Sequence, residues 1–142
     1  MILYGVFKKA DVKLDYYPHF YTKKIFAKAV DKYIDEYVRE GIAFGELDHP
    51  PESSSGYNVI NAAGISHRVL EVHWEENILY GTIELLDTPA GRTAKELFKT
   101  GVPLGISSRG VGSVKKNGKV KKDYELICFD IVFHEHHLLK EV

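Results

Sequence analysis

The chain has 142 residues, 44% of them hydrophobic, a size and apolar share that fit one globular domain over residues 1–142 with its own core. Nineteen basic against twenty acidic residues leave a formal charge of -1, so no overall field recruits nucleic acid or an anionic membrane, and neither is expected as a partner. The single cysteine, Cys128, excludes an internal disulfide framework; no apolar run approaches a membrane span, and MILYGVFKK lacks the order of a signal peptide, so a soluble intracellular protein is expected.

In chain order, ILYGVF reads as a short strand, followed by the aromatic and charged connector DVKLDYYPHFY, in which Pro18 opposes a continuous helix. From Thr22 the period changes. Ile25, Phe26, Ala29, Val30, Tyr33, Ile34, Tyr37 and Val38 repeat at the spacing of one apolar helix face, with Thr22 as N-cap and Gly41 as stop. Residues 42–47, IAFGEL, read as a strand ended by His49-Pro50-Pro51, because proline cannot donate to a sheet ladder. PESSSGYN has loop composition.

Residues 65–74 and 78–86 are strand-like and separated by EEN, which predicts an antiparallel hairpin. Thr88-Pro89 then starts a helix that runs through Phe98 and closes near Gly101. VPLGISSRGVGSV, the basic turn KKNGKVKK and the run YELICFDIVF follow; Asn117-Gly118 between strand-like segments makes the last two strands neighbours. The predicted class is α+β: a mostly antiparallel β-barrel or sheet with two or more flanking helices.

Several residues invite a chemical reading, each beside a plainer one. GISSRG holds Ser107 between glycines that let the backbone bend and present free amides, but an ordinary glycine turn looks the same, and the spacing is not that of a nucleophile elbow. His49, at a strand end beside a proline brake, is the best general base among seven histidines; a loop histidine bonded to backbone is the alternative. His67 and His73 fall with Glu71 on one strand face, which reads as solvated. The HEHH run at 134–137 could hold a metal, yet no cysteine pair or HExxH helix accompanies it, and no metal or cofactor is expected. KKNGKVKK reads as a solvated hairpin tip and Cys128 as a buried, inert thiol. Asp130 is a lone charge in the apolar run LICFDIVF, where a carboxylate is costly unless it is paired or faces solvent.

Taken together, FGELDHP, YGTIELLDTPAGRTAKELFKTGVPLGISSRGVGSV and YELICFDIV resemble the prohead core (procapsid maturation) serine proteases of tailed bacteriophages, a group related to the herpesvirus assemblins. The resemblance spans residues 44–132 and is most specific over 81–114. It implies a herpesvirus-protease-like fold and a serine endopeptidase that cleaves scaffold and major capsid proteins, and itself, within the assembling prohead in the host cytoplasm. The family's histidine falls on His49, its serine on Ser107 and its acid on Asp130. Ser108, Arg109 and Gly110 then supply oxyanion or substrate contacts, with Arg109 either bracing the loop or meeting an acidic substrate residue. Such proteases are often zymogens or homo-oligomers. The tail FHEHHLLKEV departs from the family's longer, proline- and serine-containing continuation. The rival reading is a non-enzymatic capsid or tube assembly protein that keeps a protease-like barrel.

Overall fold

The computed structural model describes residues 1–14, 17–133 and 137–142. Its strands are β1 Ile2–Lys9, β2 Phe44–Glu46, β3 Ile65–Glu75, β4 Ile78–Leu85, β5 Gly105–Val111, β6 Glu125–Val132 and β7 Lys140–Glu141. Its α-helices are α1 Lys23–Tyr33 and α2 Pro89–Lys99. The predicted class is the one observed.

Five strands form one sheet in the order β2-β3-β4-β1-β7, and β5 pairs with β6 in a second. Every strand pairing in the two sheets is antiparallel. Two isolated bridges join the sheets: Leu47 meets Ile131 where β2 ends, and Gly105 meets Leu138 ahead of β7. Pairing therefore runs round from β2 through β3, β4 and β1 to the C-terminal segment, then through β5 and β6 back to β2.

Local sequence sets the elements. Thr22 caps α1 by accepting the Ile25 amide at 3.3 Å, and Phe26, Ala29, Val30 and Tyr33 bury the face that the periodicity predicts. The helix continues into a π-helical turn, Ile34–Val38, and the chain reverses at Gly41, whose φ of 73° is the left-handed region glycine favours. The wide turn rotates the residues after it, so Tyr37 stands on the surface while Tyr33 is buried. The β3–β4 hairpin turns tightly after Glu75, with Glu76 at φ 56°. At α2, Thr88 accepts the Gly91 amide at 3.0 Å and proline occupies the first turn, as the sequence predicts. Gly91 lies so close to the Leu86 and Ser66 carbonyls that a Cβ would overlap backbone, which seats α2 against β3 and β4. Asn117-Gly118 marks the tip between β5 and β6, with Gly118 at φ 92°.

The core fills the space between the sheets and α1. The Phe129 ring lies 4.9 Å from that of Phe7 and 5.5 Å from that of Tyr33, with Phe26, Ile106 and Ile131 buried around it. Because side chains alternate along a strand, turning Phe129 inward turns Asp130 to the other face of β6.

One sequence expectation is overturned here. His67 does not share a solvated face with His73: it is fully buried, its Nε2 donates to the Phe129 carbonyl at 2.9 Å, and its Nδ1 lies 2.8 Å from Ser66 Oγ. The cause is a β-bulge between Val69 and Glu71, which inverts the alternation halfway along β3. His67 and Val69 point inward before it; His73 points outward after it, beside Glu71 and Glu75.

Candidate active site

The site forms where β2 gives way to the Asp48-His49 turn. After the Leu47 bridge the chain bends at Asp48, whose φ of 73° is a conformation that aspartate tolerates better than most residues. The Asp48 amide donates to the Ile131 carbonyl at 2.7 Å, and its carboxylate accepts the His49 amide at 2.9 Å. The turn is thus fastened to β6 one residue beyond Asp130. His49 Nδ1 reaches Asp130 Oδ2 at 2.6 Å, although 81 residues separate the two. The His49 side chain stays 26% exposed, while Asp130 is fully buried. This is a solvent-accessible imidazole held by a buried acid.

Asp130 has further partners. Arg109 donates through Nε to Oδ2 at 2.8 Å and through Nη2 to Oδ1 at 3.2 Å; Oδ1 also accepts the Glu46 amide at 2.8 Å and the Cys128 thiol at 3.3 Å. Burial by itself would raise the carboxyl's pKa, but the bonds from His49, Arg109 and the Glu46 amide together hold it below the ordinary aspartate value. Of the two readings the sequence allows for Asp130, solvent exposure or pairing, the structure takes the second. Burial pushes the Cys128 thiol well up, in keeping with an inert thiol.

The antiparallel register sets Ser107 directly opposite Asp130, with both side chains on the same face of the β5–β6 pair. Ser108 stands opposite Phe129, on the other face. Ser107 is half-buried, and its hydroxyl makes no hydrogen bond among the described residues, with His49 or any other group. His49 and Asp130 are therefore joined, and Ser107 faces Asp130 across one strand pair without bonding to His49. Ser107 and Ser108 both border a cavity whose other wall is Val6–Lys9 of β1 together with Tyr17, His19 and Tyr21.

Arg109 has no exposed surface. Besides Asp130, its Nη2 donates to Glu46 Oε2 at 2.8 Å, and its Nη1 donates to the carbonyls of Gly56, Tyr57 and Val59 at 3.3, 3.0 and 2.9 Å. All three guanidinium nitrogens are committed, which leaves none for an acidic substrate residue; bracing the loop is the reading its geometry fits. Gly110 follows a β-bulge, takes the Tyr57 hydroxyl on its carbonyl at 3.4 Å, and lies too close to Tyr124 to carry a Cβ.

Sequence reasoning missed Glu46. It is buried, binds Arg109 through its carboxylate and Asp130 through its amide, and also accepts the Asn61 amide at 3.2 Å. The signal was available in IAFGEL: a lone acid in an apolar strand, the argument that singled out Asp130. The remaining candidates stand apart from the site. The lysines around Asn117-Gly118 lie mainly on the surface. The metal reading of HEHH falls mostly on residues 134–136, outside the described residues; among the described residues no cluster of three or more potential ligands occurs.

Comparison with known proteins gives a consistent result. Residues 1–134 match the family model described as prohead core protein serine protease. The prohead core protein protease of Enterobacteria phage T4 is 34% identical over 113 residues, which cover 78% of this chain and 50% of that protein; the chain spans half the length of this relative. The solved structure of the bacteriophage T4 capsid assembly protease, gp21, superposes with a TM-score of 0.82 at 27% identity, covering 94% of this chain and 82% of the other.

Proposed function

Because the chain belongs to the prohead core protein serine protease family, we propose that it is a serine endopeptidase that cleaves scaffold and major capsid proteins, and itself, inside the assembling prohead in the bacterial cytoplasm. Ser107 is the nucleophile, His49 the general base and Asp130 the residue that orients the base. The observation that carries this reading is the 2.6 Å bond between His49 Nδ1 and Asp130 Oδ2, made beside a serine that the β5–β6 register sets opposite the acid.

The chemistry follows from the tautomer. With Nδ1–H donated to Asp130, Nε2 keeps its lone pair and can take the Ser107 proton. The two must come within hydrogen-bond reach, a closure that substrate binding supplies in many sites that are loose when empty. The alkoxide adds to the scissile carbonyl, amides between Ser108 and Gly110 receive the oxyanion, and the imidazolium returns its proton to the leaving amine. Water, deprotonated by His49, then releases the acyl group. Support for the substrates comes from the T4 relatives, whose names are those of a prohead core protease and a capsid assembly protease. Action as a homo-oligomer belongs to the same proposal.

Incubating the protein with capsid and scaffold precursors tests the reading: wild type cleaves them and Ser107→Ala does not. A wild type that binds the precursors and leaves them whole would instead support the non-enzymatic assembly role.

A further inference from the structure

The triad uses only part of a longer buried chain of charge. Asp130 Oδ2 takes two donors at once, His49 Nδ1 at 2.6 Å and Arg109 Nε at 2.8 Å. A guanidinium on that oxygen drains negative charge that should stabilise the imidazolium formed at His49. On the far side of the guanidinium, Glu46 Oε2 accepts Nη2 at 2.8 Å, and the Glu46 amide donates to Asp130 Oδ1 at 2.8 Å. With neutral imidazole, the two carboxylates and one guanidinium leave the unit with a single net negative charge. Glu46 has little freedom to leave: the Asn61 amide holds Oε2, and Gly64 packs so closely that a Cβ there would overlap Oε1. The same guanidinium grips three carbonyls of residues 56–59, so one side chain fixes both the acid and the neighbouring loop.

We infer that Glu46 and Arg109 are positioning residues for the reaction: Arg109 locks the Asp130 carboxylate and the 56–59 loop into one geometry, and Glu46 offsets the guanidinium so that the His49–Asp130 pair keeps its net negative charge. The inference rests on the triad reading of the same site. The other titratable groups around the unit are Asp48 on the His49 turn, Cys128 on β6, Tyr33 on α1 and Tyr57 on the loop. His67 of β3 lies behind the Phe129 carbonyl, lowered to about 4 by burial and so uncharged at neutral pH.

Steady-state cleavage of the capsid precursor across pH separates this role from a structural one. Glu46→Gln keeps the size of the side chain and removes its charge; kcat is expected to fall about tenfold with KM within about twofold, and the acid limb of kcat/KM moves to lower pH. Arg109→Lys keeps the charge and loses the fork; kcat falls about tenfold or more while the acid limb stays in place. Glu46→Asp keeps the charge but shortens the reach, and stands in if Glu46→Gln does not fold: kcat falls and the limb again stays. Lower melting temperatures with kcat and the acid limb unmoved would overturn the inference and leave a purely structural cluster. Ser107→Ala, run alongside, keeps the two failures apart. If it cleaves like wild type, the triad reading fails; if it is inactive while the Glu46 and Arg109 variants turn over normally, only the positioning role fails.

Discussion

His49 and Asp130 come together through a bond that neither of them makes. The amide of Asp48 donates to the carbonyl of Ile131 at 2.7 Å, so the residue before the histidine is tied to the residue after the aspartate, and the 2.6 Å side-chain contact follows from that backbone tie. The placement of His49 beside Asp130 thus has a main-chain component, in addition to the side-chain bonds that Arg109 makes to the Asp130 carboxylate.

Ser107 and Ser108 are distinguished by the register of β5. Ser107→Ala is expected to lower kcat by roughly 10⁴ or more, and Ser108→Ala to leave most of the activity, because only Ser107 lies on the Asp130 face. Cleavage of capsid precursor by each variant checks this; an inactive Ser108→Ala with an active Ser107→Ala would move the nucleophile by one residue.

Asp130→Asn removes the negative charge and turns one of the two accepting oxygens into a donor. Together those oxygens take His49, Arg109, the Glu46 amide and Cys128, so the change disrupts the His49 tautomer and half of the guanidinium's pairing. A kcat loss of about 10⁴ is expected, with a stability loss of about 3 kcal/mol from an imperfectly paired Arg109. Kinetics and urea unfolding read the two effects separately, and wild-type kinetics in a folded variant would reject the role given to Asp130.

Acid should destabilise the protein in two stages. His67, lowered to about 4 by burial, stays neutral in the fold while the unfolded chain takes up a proton near pH 6.5. Its contribution is therefore complete above pH 6.5 and shrinks as pH falls, by about 3 kcal/mol on reaching pH 4. Asp130 is depressed below the ordinary value, so its contribution is complete above about pH 4 and is lost as pH falls through its lower folded value. Urea unfolding between pH 7 and pH 3 checks both stages: His67→Gln flattens the upper one and keeps the lower. A variant as steep as wild type from pH 6.5 to 4 would remove His67 as the source.

Gly45→Ala tests the packing beneath the site. A Cβ at Gly45 would overlap the Phe129 carbonyl and the His67 ring, so β2 must move away from β6 and carry Asp48 and His49 with it. A loss of about 3 kcal/mol is expected, together with reduced activity. Thermal melts and precursor cleavage measure the pair; a variant with normal values for both would mean that β2 does not set the position of His49.

Chelator treatment is expected to leave cleavage unchanged, since a Ser-His-Asp mechanism needs no Lewis acid. Activity abolished by chelator and restored by zinc would make the HEHH run the first place to look.

Much of the fold was legible because it is local. Thr22 and Thr88 announce their helices, EEN and Asn-Gly announce their turns, and the apolar period of α1 is written in consecutive turns. What escaped the sequence depends on single insertions and distant partners. The bulge between Val69 and Glu71 shifts the alternation of β3 by one residue, and no residue type there signals it, so His67 reads as exposed when it is buried. Arg109 could not be resolved from its neighbours, because its partners come from β2, β6 and the 56–59 loop. Glu46 is the different case: its pattern matched that of Asp130, and only its partner was out of view.

The closure of the ring gives the candidate site its mechanical character. Within the five-stranded sheet, β3–β4 and β4–β1 pair through long ladders. The backbone junction with β5 and β6 instead runs through isolated bridges at Leu47–Ile131 and Gly105–Leu138, beside the side-chain bonds among Glu46, Arg109 and Asp130. The first bridge adjoins both His49 and Asp130. Local opening at the first bridge can therefore part His49 from Asp130 while the core stays packed, so loss of that contact and loss of the fold are separate events. In hydrogen exchange the Asp48 amide is expected to exchange sooner than the paired amides of β3 and β4, reporting the integrity of the site apart from that of the domain.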